Sequence, residues 1–476
     1  VGTSESRLMS QLLNKNFFKA ARVELVKEPK FIFGLLLKLL LLPFAFHSDL
    51  VSMYWRANLM ASHGLWGWQP SQVVGHWIYA LNLKLMQLLG FNLAAIFQQP
   101  FGIMPGKPTA STGDWLQFAN LDNINAVLFM LKLPHLIFDV LVYLILAQKF
   151  KNHPRRDLIL ASWWLNPVNL YAFYIFARHD SITSLFMLLA VLLLANKKIV
   201  QAVFSLFLAI KTRAVPILLA PVLGVAALKQ QLKLKDLLIK GFISVLLVLG
   251  LSLILENLPL NEQRLDRLLN RPTAIEQTQL EENEPFLIAK ISSLAGISLT
   301  SMHPQRVLGV SWAGIPVFPV LFLVLLLIQL LQPKDNNNLS YIARYSLAAF
   351  SLFFVLNPLS PHYFVWLSIF ITLVLALDHR YLWIYAEAVL WWLLWALWRN
   401  DLTMFSIRLF LPVSQNIYYL PQFFSSPVLT QIFKILFSLS MLELTVFALF
   451  PHWLDVLPEK IGYIFKAQGK ERQVDE

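Results

Sequence analysis

The chain has 476 residues, of which 57% are hydrophobic and 14% charged, with a mean hydropathy of +0.60. These values exclude the soluble globular classes, and long unalternating Leu, Ile, Val and Phe runs exclude a β-barrel, so the expected fold class is an all-α, polytopic integral membrane protein. A net charge of +12 would suit nucleic acid, but the basic residues sit in short loops between apolar runs, so no nucleic-acid partner is expected; the absence of cysteine excludes disulfides, thiolate catalysis and Cys-ligated metals.

In residues 1–30, Leu8, Met9, Leu12, Leu13, Phe17 and Phe18 recur at helical spacing among Arg7, Lys15, Lys19 and Arg22. That pattern predicts an interfacial cytosolic helix in contact with membrane lipids. Twelve apolar runs follow, near 31–46, 124–148, 157–175, 181–195, 199–212, 214–228, 237–256, 312–332, 345–357, 362–377, 381–398 and 428–450. Each is read as a transmembrane helix of one domain, 31–450, with a cytosolic tail at 451–476. No small-residue cleavage site follows 31–46, so that run reads as a retained span rather than a signal peptide.

With the N-terminus inside, the predicted cytosolic segments hold more than half of the 39 Lys and Arg residues, concentrated in the short loops 149–156, 196–198 and 229–240. The bias places both termini in the cytosol. Three long outer segments result: 47–123, 257–311 and 399–427. The first alternates amphipathic stretches (50–60 and 73–89) with Trp/Pro/Gly-rich turns such as 66–70, which predicts helices lying along the outer membrane surface. The second is polar with mixed charge over 261–285 and reads as a solvated loop. Runs five and six are short, and Lys211-Thr212-Arg213 interrupts them, as in broken helices that line a wet cavity.

Candidate chemistry collects at the outer ends of these runs. His47-Ser48-Asp49 emerges from the first run; Ser48 or Asp49 suits a cap for the helix starting near Leu50, and Asp49 equally suits a general base at the aqueous boundary. Lys132, His135 and Asp139 fall on one helical face inside the second run, an intramembrane stripe that reads either as an internally paired network or as support for a site. Arg178-His179-Asp180 stands between two strongly apolar stretches, where three ionisable groups are costly unless paired or used. Lys211 and Arg213 at the helix break match a phosphate group, and Pro358 and Pro361 fix a turn that presents His362 and Tyr363 to the same surface. No metal-ligand spacing appears among the ten histidines.

Asp49-Leu50 followed by Tyr54 and Ala57 resembles the start of the first outer loop of GT-C glycosyltransferases. Lys132-Leu133-Pro134 with Asp139 resembles their second-span pattern. The order Leu165-Asn166-Pro167, Arg178-His179-Asp180-Ser181, Lys211, Pro216 and Pro221 is similar to bacterial relatives of the glycosylphosphatidylinositol mannosyltransferases, as is Ser360-Pro361-His362-Tyr363-Phe364-Val365-Trp366. The match covers 31–225 and, locally, 345–377. Two departures stand out: Arg178-His179 replaces the Gly-Gln or Gly-Arg usual before the aspartate, and an Asp-x-Asp in the first loop is absent.

The resemblance implies transfer of a sugar, with mannose first in line, from a polyprenyl-phosphate donor to a hydroxyl of a glycan, lipid or protein acceptor. Transfer would invert the anomeric carbon on the outer face of a bacterial plasma membrane. Asp49 would take the acceptor proton; Lys211, Arg213 and Arg178 would stabilise the departing phosphate, with His179, Asp180, His362 and Tyr363 around donor phosphate and sugar. No cofactor is implied with certainty, and a divalent cation stays open. Twelve spans with both termini inside also suit a lipid-linked-oligosaccharide flippase or another transporter, or a non-catalytic assembly partner.

Overall fold

The computed structural model describes residues 28–63, 72–97, 118–230, 234–256, 311–312, 315–333, 337–357, 360–398, 403–406, 417–419 and 426–456. The expectations for the N-terminal interfacial helix, the turn at 66–70, the polar stretch at 261–285 and the tail beyond 456 lie outside the described residues.

Helices fall in all twelve apolar runs. In chain order the longer ones are α1 (Pro29–Leu41), α2 (Ser48–His63), α3 (Val73–Leu88), α4 (Ile124–Lys149), α5 (Arg156–Trp164), α6 (Asp180–Ala195), α7 (Ile199–Thr212) and α8 (Leu219–Lys229). There follow α9 (Leu234–Glu256), α10 (Val317–Leu331), α11 (Asn338–Leu356), α12 (Val365–Leu375), α13 (Tyr381–Trp398) and α14 (Pro427–Leu449). Among the described residues, four helices, α4, α11, α13 and α14, are long and apolar enough to cross a membrane.

Local chemistry sets the boundaries. Pro29 and Pro427 occupy first-turn positions where a missing N–H costs nothing. The Asn337 side chain accepts from the backbone N–H groups of Leu339 and Ser340 and so caps α11. Pro167 drives Asn166 into an extended conformation, which ends the helical path after α5. The chain re-enters a single helical turn at Pro167–Leu170 and then a π turn at Tyr171–Ile175, closed by Phe176 N–H donating to the Tyr171 carbonyl at 2.7 Å. Arg213 is extended directly after α7, so the helix breaks where Lys211-Thr212-Arg213 had predicted it.

Two apolar cores carry the packing. The larger joins α4 to α8 with α10 to α14; the smaller is made by α2, α3, the short helix Leu93–Phe97 and the start of α4. The expectation of surface-lying amphipathic helices is corrected for α2: every residue from Leu50 to Met60 is buried, so this helix is a core element, wrapped on all sides. Helix α3 does show one apolar exposed face at its C-terminal end, with Leu81, Leu85 and Leu88.

The fold is overwhelmingly helical, as expected, with a few very short strands. Run 31–46 does not remain helical: α1 ends at Leu41 and Ala45–His47 forms strand β1. Two short strands, β2 (Ser311–Trp312) and β3 (Ile315–Pro316), pair with each other, and β1 pairs antiparallel with β4 (Thr403–Ser406), which pairs with β5 (Ile417–Tyr419). Strands of two to four residues are too short to carry a readable alternation, and β1 takes its partner β4 from the far end of the chain.

Candidate functional site

At one end of the bundle, the starts of α2, α6 and α12 and the end of α7 converge. Asp49 lies in the first turn of α2, its N–H donating to His47 Nδ1 at 3.1 Å. Its carboxylate forms an ion pair with Arg178 Nη1. The same Arg178 nitrogen reaches the Tyr363 hydroxyl at 3.4 Å, and the guanidinium lies 5.8 Å from the Tyr363 ring centroid.

Asp180, fully buried at the start of α6, repeats this arrangement. Its Oδ1 accepts from Arg213 Nε at 3.1 Å and from Trp366 Nε1 at 2.8 Å. Arg213 lies over Tyr363 and Trp366, 5.1 and 5.6 Å from their centroids. The carboxylate is therefore spent on side chains of other elements rather than on capping its own helix. Tyr363 stands between the two arginines, so the Asp49–Arg178 and Asp180–Arg213 pairs form one cluster. Three buried polar atoms within it have no hydrogen-bond partner: Asp180 Oδ2, Arg213 Nη2 and Arg178 Nε. Two donors and one acceptor left open suit a ligand carrying both acceptor oxygens and a hydroxyl.

The electrostatics follow from burial and from three arginines. Burial alone would raise Asp49, but the charges of Arg178, His47, Arg213 and Arg56 outweigh it and hold the carboxyl below the ordinary aspartate range. Burial works against the Arg178 charge, yet Asp49 beside it raises its pKa further. Arg56, two turns along α2 from Asp49, is brought down to about 10 by burial, with Asp49 opposing and Arg178 assisting. His179 is fully buried, its Nε2 donates to the Thr212 carbonyl at 2.9 Å, and burial together with Arg213 and Arg178 keeps the ring well below the usual imidazole range. His76 is lowered likewise, by burial and by Arg56, Arg178 and Arg213.

A row of stacked rings backs the cluster. His47 stacks on Phe176 and Phe176 on His362, each pair with centroids 3.8 Å apart, and Tyr363 continues onto Trp366 at 4.5 Å. The segment carrying Arg178 enters this row through Ala177, whose φ of 59° lies in the left-handed region. A π turn followed by a left-handed alanine stores strain directly before the ion pair.

Of the sequence-predicted residues, Asp49, Arg178, His179, Asp180, Arg213, His362 and Tyr363 are brought together. Lys211 is fully buried, with its ammonium 5.5 Å from the Phe207 ring. The stripe Lys132, His135 and Asp139 is buried and internally paired. Asp139 takes an ion pair from Lys38 at 2.8 Å and hydrogen bonds from Trp163 and Tyr174 at 2.8 and 2.7 Å. His135 meets the Tyr79 hydroxyl at 3.2 Å, and Lys132 binds backbone carbonyls.

Sequence reasoning missed Arg56, His76 and Lys38, and noted Trp366 only as the end of the 360–366 motif, without a role. Arg56 was findable, seven residues after Asp49 on the same helical face, as was Lys38, a lone cation in an apolar run. His76 carried no signal apart from the fold. Among the described residues, no group of three or more His, Asp or Glu side chains could hold a metal ion. Comparisons with protein-family models, with curated proteins and with solved structures gave no match.

Proposed function

We propose that this chain is a polytopic membrane glycosyltransferase of GT-C type, with about twelve transmembrane helices and both termini in the cytosol. It transfers a sugar, mannose by preference, from a polyprenyl-phosphate donor to a hydroxyl acceptor on the outer face of a bacterial plasma membrane. The observation that carries this reading is the joint cluster of Asp49, Arg178, Asp180 and Arg213, with two guanidinium N–H groups and one carboxylate oxygen unspent.

A donor phosphate satisfies Arg178 Nε and Arg213 Nη2, and a sugar hydroxyl satisfies Asp180 Oδ2. The acceptor oxygen attacks the anomeric carbon from the face opposite the phosphate. The bond from that carbon to the phosphate oxygen breaks, its electron pair stays on the phosphate, and the acceptor proton goes to Asp49. Arg178 pairs with Asp49, so a phosphate that draws Arg178 away frees the base and raises its proton affinity. His179 and His76 stay uncharged beside the arginines.

The test is transfer from polyprenyl-phosphate mannose and glucose by reconstituted protein, wild type against Asp49→Asn. Loss of about 10²- to 10⁴-fold is expected for a general base. Undiminished transfer by Asp49→Asn removes the base assignment. The buried Lys38–Asp139 pair favours the rival reading, a lipid-linked-oligosaccharide flippase or other transporter, because ionised pairs inside apolar helices mark ion and substrate paths. No transfer by wild type with any donor, together with movement of lipid-linked oligosaccharide across vesicles, would establish that rival.

A further inference from the structure

Three segments of the chain meet on one side chain. Lys132, inside α4 and fully buried, donates from its ammonium to the carbonyl oxygens of Leu41 at 3.0 Å, Ala45 at 2.6 Å and Tyr174 at 2.7 Å. Leu41 closes α1, where unpaired carbonyls concentrate the negative end of the helix dipole. Ala45 opens β1 and precedes Asp49 by four residues; Tyr174 sits in the π turn and precedes Arg178 by four.

An ammonium has three donors and no acceptor, so all its hydrogen-bonding capacity is taken by these carbonyls and none remains for a ligand. A phosphate-binding role for Lys132 is thereby excluded in this arrangement. We infer that Lys132 is a positioning residue that ties the strand leading to Asp49 to the π turn leading to Arg178, and so sets the register in which carboxylate and guanidinium meet. The path from Tyr174 to Arg178 crosses the π turn and the left-handed Ala177, which no continuous helix holds in place. The path from Ala45 to Asp49 crosses a three-residue strand whose other support is β4. Both short leads are irregular backbone, and a buried cation shared between them fixes their starting points relative to each other. Its catalytic consequence rests on the function proposed for Asp49 and Arg178; the bridging itself does not.

The experiment uses the full chain in lipid nanodiscs and reads two quantities: hydrogen exchange of peptides covering 43–49 and 171–179, and transfer kinetics with polyprenyl-phosphate mannose. Lys132→Met, which keeps the apolar stem and removes the donors, is expected to speed exchange about tenfold or more in both segments together. It should lower kcat about 100-fold, as a misplacement near 1 Å does, while the donor KM stays within about threefold. Lys132→Gln retains two donors and should fall between wild type and Met in both readouts; it decides the matter alone if the Met variant does not fold. Unchanged exchange in either segment, or acceleration spread evenly over the starts of α11 and α14 as well, overturns the inference. Exchange loosened as expected beside a wild type inactive with every donor supports the Lys132 bridge and sinks the glycosyltransferase reading instead.

Discussion

Arg213 Nε donates to Asp180 Oδ1 at 3.1 Å with the carboxylate fully buried and the guanidinium nearly so, and Trp366 donates to the same oxygen. A buried pair of this kind is costly to break from one side, because the survivor is left as an uncompensated charge. Asp180→Asn keeps an acceptor for Trp366 and removes the charge. It should destabilise the fold by about 3–5 kcal/mol, read as a lower unfolding midpoint in detergent, and replacing both residues by apolar ones should recover much of the loss.

The interior pair Lys38–Asp139 obeys the same rule deeper in the bundle. Lys38 lies 2.9 Å from the Trp164 ring centroid, and Gly34 on α1 lets that indole close in, since a side chain there would overlap it. Asp139→Asn should cost a similar about 3–5 kcal/mol, while Lys38→Met with Asp139→Asn together should cost less than Asp139→Asn alone. A double-mutant cycle in chemical denaturant measures the coupling; additive losses would show that the two side chains do not act as a pair.

Acid should destabilise the protein in a window to which His76 and His179 contribute. His76 and His179 are held below the usual imidazole range in the folded chain, so between their folded pKa values and about 6.5 the unfolded chain binds protons that the folded chain does not. Stability is complete above about pH 6.5 and falls as pH drops below it, by up to about 1.4 kcal/mol per pH unit for each ring. Asp49 is also lowered, so its contribution has the same sign but begins to fade only beneath the ordinary aspartate value of about 3.9. Unfolding midpoints between pH 8 and 5 test this: His179→Gln should flatten the slope.

Ala177 offers a change in the stabilising direction. Glycine tolerates φ of 59° without the Cβ clash, so Ala177→Gly should gain about 0.5–1 kcal/mol despite the looser unfolded chain, and Ala177→Val should lose more than that. Thermal unfolding decides; a loss with Gly would mean that the alanine methyl packs better than the backbone suffers.

Helix positions were legible because apolar runs of sufficient length force backbone hydrogen bonds inward, and 124–148 and 381–398 match α4 and α13 closely. The charged triplets at helix ends were legible for the same reason: charge beside apolar helices needs a partner. What the sequence could not disclose is which partner. Nothing in Arg178 or Arg213 tells that one takes Asp49 and the other Asp180. Those choices are made by an extended residue at a helix break and a left-handed one after a π turn, which are tertiary outcomes. The buried surroundings of α2 were missed because its polar residues, Arg56 and Asn58 among them, gave it an amphipathic look while finding their partners in the interior.

The pairing of β1 with β4 also carries a schedule. Ala45 waits for Phe405, which the ribosome adds roughly 360 residues later, a delay of about 20–70 s at ordinary rates of synthesis. Until then the lead into Asp49 has only the early contacts to hold it, among them the carbonyl bonds from Lys132, which is made long before β4. The two halves of the cluster thus come of age at different times during biogenesis. Nascent chains stalled before residue 403 should expose 43–49 to protease while 171–179 is already protected.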